Sequence, residues 1–126
     1  MMNITKIALV GLGGCIGTIA RYCIVQYSGK VFSADFPYGT LAVNIIGSLV
    51  IGLIYGLADG RNLFTPEVKL FLTAGLCGGF TTFSSFSYES FDLFRSGQVA
   101  TALLYMGLSN GTGLLAVVAG YYLSRS

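Results

Sequence analysis

The chain has 126 residues, enough for one domain, of which 54% are hydrophobic and only 10% charged, against about 25% charged in an average soluble domain. Seven bases against five acids leave a net charge of +2, too little to draw DNA or RNA, and the apolar content excludes a disordered chain. With no histidine, three cysteines and five carboxylates, most catalytic and metal-binding constellations are unavailable. An all-α membrane protein, with residues 1–126 as one transmembrane domain, is the expectation.

The elements are read from the gaps between charges. Fourteen uncharged residues separate Lys6 from Arg21, 23 separate Asp35 from Asp59, 19 separate Lys69 from Glu89 and 29 separate Arg95 from Arg125. A helix crossing a ~30 Å hydrocarbon core needs about 20 mostly apolar residues. Four spans are therefore predicted near 4–27, 38–58, 68–94 and 98–123, with Arg21 snorkelling or lining a cavity near the far end of the first.

Within the first span, Leu12-Gly13-Gly14-Cys15 loosely resembles a lipoprotein cleavage box. The continuation Ile16-Gly17-Thr18-Ile19-Ala20 stays apolar, so the N-terminus is expected to be retained. Cys15, Cys23 and Cys77 all fall in apolar segments and read as small buried hydrophobes. Ser28 to Pro37 connects to the second span, with Phe32, Phe36 and Tyr38 placed for an interfacial belt. Asn44, between Val43 and Ile45 in the charge-free run, is either a helix–helix clamp or a polar group on a pathway. Asp59 to Asn62 is turn chemistry, and Thr65-Pro66-Glu67 sets proline at a helix start.

The third span differs from the rest. Gly75, Gly78 and Gly79 lie within five positions, where helix propensity is weakest. They predict either a glycine-rich packing face or a break at mid-membrane whose freed backbone groups would meet an ion. Phe80, Phe83 and Ser87 follow at helical spacing, with Thr81, Thr82, Ser84 and Ser85 between them. Such rings are packing aromatics or, turned edge-on to a pathway, weak anion ligands, because the ring edge carries positive potential. Arg95-Ser96-Gly97 ends this span. In the fourth, Thr101, Tyr105, Ser109 and Thr112 step by 4, 4 and 3 and form one polar stripe. Small residues at four-residue spacing (Gly13/Gly17, Ser48/Gly52/Gly56, Gly107/Gly111) read as close helix contacts.

Basic residues give only a weak orientation signal. Lys6, Arg61, Lys69 and Arg125 fall on one side, Lys30 and Arg95 on the other with Arg21 near it. Insertion in both directions, and hence an antiparallel pair, is one reading; a single orientation set by other factors is the other.

With GGCIGTIARY, GTLAVNIIGS, GLCGGFTTFSSFSYE and the pair Tyr105/Ser109, the sequence resembles the Fluc/CrcB family of small bacterial fluoride channels through all four spans. The resemblance implies an antiparallel dual-topology homodimer in the lipid of the bacterial cytoplasmic membrane, exporting fluoride passively and so relieving its toxicity. It implies two pathways and a structural sodium ion at the dimer centre. By motif position Phe80 and Phe83 would be the paired pore rings, Asn44 the pore asparagine, and Thr82, Ser84, Tyr105 and Ser109 parts of a polar track. Arg21 would be a vestibule charge, and the carbonyls of Gly75 and Gly78 would hold sodium; members of the family often carry threonine where Gly78 stands. Glu89 closes the third motif, with no assigned facing. Two rivals are weighed: a four-helix multidrug exporter, which needs a membrane carboxylate that the first two spans lack, and a non-conducting scaffold subunit, which leaves the Phe/Ser/Thr track without a purpose.

Overall fold

A computed structural model describes residues 3–32 and 35–126. Among these residues there are helices and connections but no strand. The helices are α1 (Ile4–Val31), α2 (Tyr38–Arg61), α3 (Pro66–Leu70), a π-helical turn (Phe71–Cys77), α4 (Gly78–Phe80), α5 (Phe83–Arg95) and α6 (Val99–Arg125). Of these, α1, α2 and α6 are each long and apolar enough to cross a membrane. The expected third span is divided: α3 to α4 form one helical run and α5 another, and α5, at 13 residues, falls short of the ~20 needed for a crossing.

Local chemistry sets the ends. Asn3 caps α1 by accepting from the Lys6 amide at 2.8 Å, and Thr65 caps α3 by accepting from Val68 at 3.2 Å with Pro66 in the first turn. Asn62, at φ 53°, stops α2 in the left-handed region that asparagine tolerates. Gly97, at φ 85°, ends the turn after α5, where Gln98 N–H donates to Leu93 O at 2.8 Å. The helix α1 continues to Val31, so Gly29 and Lys30 are helical, and the aromatic belt begins after them with Phe32 and Phe36 each 4.9 Å from the Tyr38 ring. Residues 33–34 of this connection lie outside the described residues.

Small residues bring the helices together. On α1, a Cβ at Gly13 would meet Phe71 O at 2.6 Å, and one at Gly17 would collide with Leu76 O and, at 2.8 Å, Phe80 N. On α2 and α6, Gly52 lies against Val117 and Gly120 against Leu49 and Leu53. These are the close backbone approaches that small-residue spacing allows in lipid. Gly107 and Gly111 do not follow that pattern: a Cβ at either would find nothing within 4 Å among the described residues. Cys77 is buried as expected, whereas Cys15 and Cys23 are exposed on α1.

The break begins two residues beyond the last of the glycines, Gly79. Gly75, Gly78 and Gly79 stay helical, and the chain extends at Thr81 (φ −92°, ψ 161°) and Thr82 (φ −148°, ψ 124°). Gly75 sits against Gly13 Cα and Val10 O, both 3.1 Å from an added Cβ, and Gly79 against Gly14. In that dry contact leaving the helix would strand backbone groups, so the glycines pack rather than yield. Two threonines mark the break instead: Thr81 is the C-cap of α4, and Thr82 is the N-cap of α5, its hydroxyl accepting from Ser85 N–H at 3.3 Å.

Candidate functional site

The break opens onto a cavity of about 280 Å³ between α2, the start of α5 and α6. Four of the residues singled out from the sequence line it: Asn44, Thr82, Phe83 and Ser109. Asn44 also serves as the clamp. Its Nδ2 donates to Thr82 O at 3.1 Å and its Oδ1 accepts from Thr82 N–H at 2.9 Å, so one side chain satisfies both backbone groups freed by the break. The Ser109 hydroxyl oxygen is buried and has no partner among the described residues. It is a free donor at the cavity wall.

Phe80, Ser84 and Tyr105 lie outside this cavity. Phe80 belongs to α4, before the break, and its ring edge lies 3.4 Å from the Cβ position of Gly47 on α2, which makes it a packing ring in this chain. Ser84 is exposed on α5. Tyr105 is fully buried beneath the cavity. The ring that joins Phe83 is Phe86, one turn further along α5, with centroids 6.0 Å apart. Sequence reading passed over Phe86, although Phe83 and Phe86 have the same three-residue spacing as Phe80 and Phe83.

From Phe86 an aromatic line runs onward. Its ring is 5.2 Å from that of Tyr105, which meets Phe36 edge-on at 5.4 Å. The Tyr105 hydroxyl donates to Glu89 Oε1 at 2.8 Å, and Thr40 donates to Glu89 Oε2 at 2.8 Å. A carboxylate with both oxygens occupied by hydroxyl donors is stabilised in a poorly hydrated setting. Glu89 and Thr40 also border a second cavity of about 220 Å³, next to Asp35 and Phe36 at the α1–α2 connection. The carboxylate that the sequence left without a facing thus stands between the buried tyrosine and the second cavity. Of the fourth-span stripe, Thr112 turns its hydroxyl back to Leu108 O of its own helix.

Arg21 reaches the break from α1. Its Nε–H donates to Gly79 O at 3.0 Å, and Thr18 donates to the same oxygen at 3.4 Å. Gly75 and Gly78 are unequal. The Gly75 carbonyl accepts from the Gly78 N–H and its α-carbon faces α1, whereas Gly78 is exposed and Thr82 N–H, the helical donor to its carbonyl, has gone to Asn44.

The family described as "CrcB-like protein, Camphor Resistance (CrcB)" matches residues 8–121. The chain belongs to this CrcB-like family. Its curated relatives include proteins named fluoride-specific ion channel FluC. One from Leptospira interrogans is 41% identical over 126 residues, covering 99% of each chain. One from Agrobacterium fabrum is 44% identical over 121 residues, 96% of this chain and 97% of the relative. One from Clostridium novyi is 42% identical over 117 residues, 93% and 91% of the two. Together with three helices able to cross a bilayer, this makes the chain a multi-pass membrane protein of a channel family.

Proposed function

We propose that the protein is a fluoride channel that lets fluoride leave passively across the bacterial cytoplasmic membrane. The observation that carries this reading is the cavity at the break: a Ser109 hydroxyl and the rings of Phe83 and Phe86 share its wall, and among the described residues the hydroxyl has no partner and no basic side chain lines the cavity. Hydroxyl donors and positive ring edges attract a small anion without the full charge that would hold it. The naming of relatives 41–44% identical as fluoride-specific channels supplies the choice of ion.

Phe83 and Phe86 take the pore-ring role that motif position gave to Phe80 and Phe83. The same shift of three residues puts Thr81 where family members often carry threonine, a position otherwise held here by Gly78. The pathway then runs past Asn44, Phe83, Phe86 and Ser109 towards Tyr105, Thr40 and Glu89, with Thr82 held at its edge and Ser84 on the exposed face of α5.

The channel would be an antiparallel homodimer. Its support is the near balance of basic residues between the two sides, together with a face left open beside the cavity: Phe83 is 78% exposed, and Gly107 and Gly111 have no neighbour. The third span, α3 to α5, would be the fourth crossing. A structural sodium ion fits backbone carbonyls released at the break. Gly78 retains that role, while Thr81, in extended backbone, suits it better than Gly75, whose carbonyl is already bonded. Bound there, the ion would add positive charge near the anion path.

The deciding experiment is fluoride-electrode efflux from liposomes containing the purified protein. Rapid efflux that ignores chloride is expected; silence from correctly folded protein would overturn the channel reading and favour a scaffold subunit.

A further inference from the structure

The third span ends its first half in the membrane, so the last carbonyls of that half lose their helical donors. In an unbroken helix Gly79 O would accept from Phe83 N–H, but Phe83 opens a new helix. The carbonyl accepts from Arg21 Nε at 3.0 Å and from Thr18 at 3.4 Å instead. The approach is built in. Gly13, Gly17 and Arg21 follow at four-residue spacing along α1, and the two glycines place that helix directly on the backbone of the π-helical turn and α4. The Gly79 carbonyl therefore points to α1, while the cavity lies on the α2 and α6 side.

We propose that Arg21 is a positioning residue that acts through its Nε–H: it replaces the missing helical donor on Gly79, fixes where the half-helix ends, and keeps that carbonyl dipole off the anion path. This goes beyond the vestibule charge implied by resemblance and rests on the channel reading above. The two roles need different atoms. Nε of the guanidinium stands four bonds along the side chain from Cα, the place that glutamine fills with its own Nε2–H and lysine fills with a methylene. Arg21→Gln therefore keeps the bond and discards the charge, and Arg21→Lys keeps the charge and discards the donor at that place.

Fluoride flux and amide hydrogen exchange at residues 81–83 are to be measured on the full-length protein in liposomes for wild type and both variants. Arg21→Gln should keep maximal flux within about threefold of wild type and leave exchange unchanged, while Arg21→Lys should lower maximal flux by about tenfold and speed exchange, as expected for a part-buried carbonyl left with only the long Thr18 contact. The half-saturating fluoride concentration should stay fixed in both. The reverse order, with Lys near normal and Gln raising the half-saturating concentration, would assign Arg21 to anion attraction and overturn the proposal. Two normal variants, or two equally impaired ones, would overturn it as well. Should Arg21→Lys fail to assemble, Arg21→Gln decides alone: kept protection supports the proposal and lost protection ends it. If wild type carries no fluoride, the channel reading fails, and exchange still judges the cap.

Discussion

Asn44 holds Thr82 as one strand holds another: a donor and an acceptor on one side chain answer the N–H and C=O of a single residue, at 2.9 and 3.1 Å. The pairing allows two residues of extended backbone to persist between helices where water is scarce. Asn44 is therefore both a clamp and a cavity wall, the two readings its sequence position left open.

Replacing Asn44 by alanine should strand both groups and lower stability by about 2–4 kcal/mol, on the cost of unsatisfied buried polar groups. Asn44→Asp should be comparably damaging, since it keeps the acceptor but turns a second oxygen towards Thr82 O. Thermal unfolding in detergent, with flux measured in parallel, checks both; unchanged midpoints would mean that the break supports itself.

Substitution of the rings separates the two possible registers. Phe83→Ile and Phe86→Ile should each abolish or strongly reduce fluoride flux with assembly intact, because isoleucine keeps bulk but lacks the positive ring edge. Phe80→Ile should retain most flux. The opposite pattern, with Phe80 essential and Phe86 dispensable, would restore the register read from motif position.

Three rather than four of the described helices are long and apolar enough to cross a membrane, but the all-helical fold, the turn positions and the special character of the third span were legible from charge gaps, caps and glycines. The place of the break was not. Glycine has low helix propensity, yet Gly75 and Gly79 are held helical by backbone contact with α1, a tertiary constraint invisible along one chain. Thr82, the residue that opens the next helix, carries the capping signal of a hydroxyl three residues before Ser85. Of the residues that line the cavity, Asn44, Thr82 and Ser109 stand out in the sequence because polar groups are costly in a membrane, and Phe83 because it follows the glycines among hydroxyl residues. Phe86 was missed because phenylalanine in a lipid-facing composition is unremarkable until its neighbours are known. The partner of Glu89 needed the fold, since Thr40, Glu89 and Tyr105 come from three helices.

Tyr105→Phe should cost about 1–3 kcal/mol by leaving Glu89 Oε1 without its donor, and the loss should shrink in a Glu89→Gln background. A double-mutant cycle on thermal unfolding reads this coupling. Strict additivity would mean that the two side chains do not meet in the membrane.

Orientation can be forced with added lysines on one side. Copies biased in one direction should be inactive alone and recover flux when co-expressed with copies biased in the other. Full activity from a single bias would exclude the antiparallel pair.

Exchange of buffer sodium for a large organic cation should slowly inactivate the channel, and sodium should restore it. Gly75→Val cannot test this site, since its side chain would strike Gly13 and Val10 whatever ion is bound. Gly78→Ala can: it has helical φ and only Thr73 O at 3.7 Å beside the added methyl, so it should fold and retain sodium-dependent flux through an unaltered carbonyl.

The π-helical turn Phe71–Cys77 holds one residue more than an α-helical turn would. Residues beyond it are consequently about 100° out of phase with those before it on the α-helical count. A helical wheel drawn at one pitch from Pro66 to Phe80 would superimpose faces that the molecule keeps apart. Deleting one residue from this turn would let an ordinary helix close, and would swing Gly79 away from Arg21 and Thr82 away from Asn44 in the same motion. The wide turn is a rotational setting, and the two anchors of the break depend on it together.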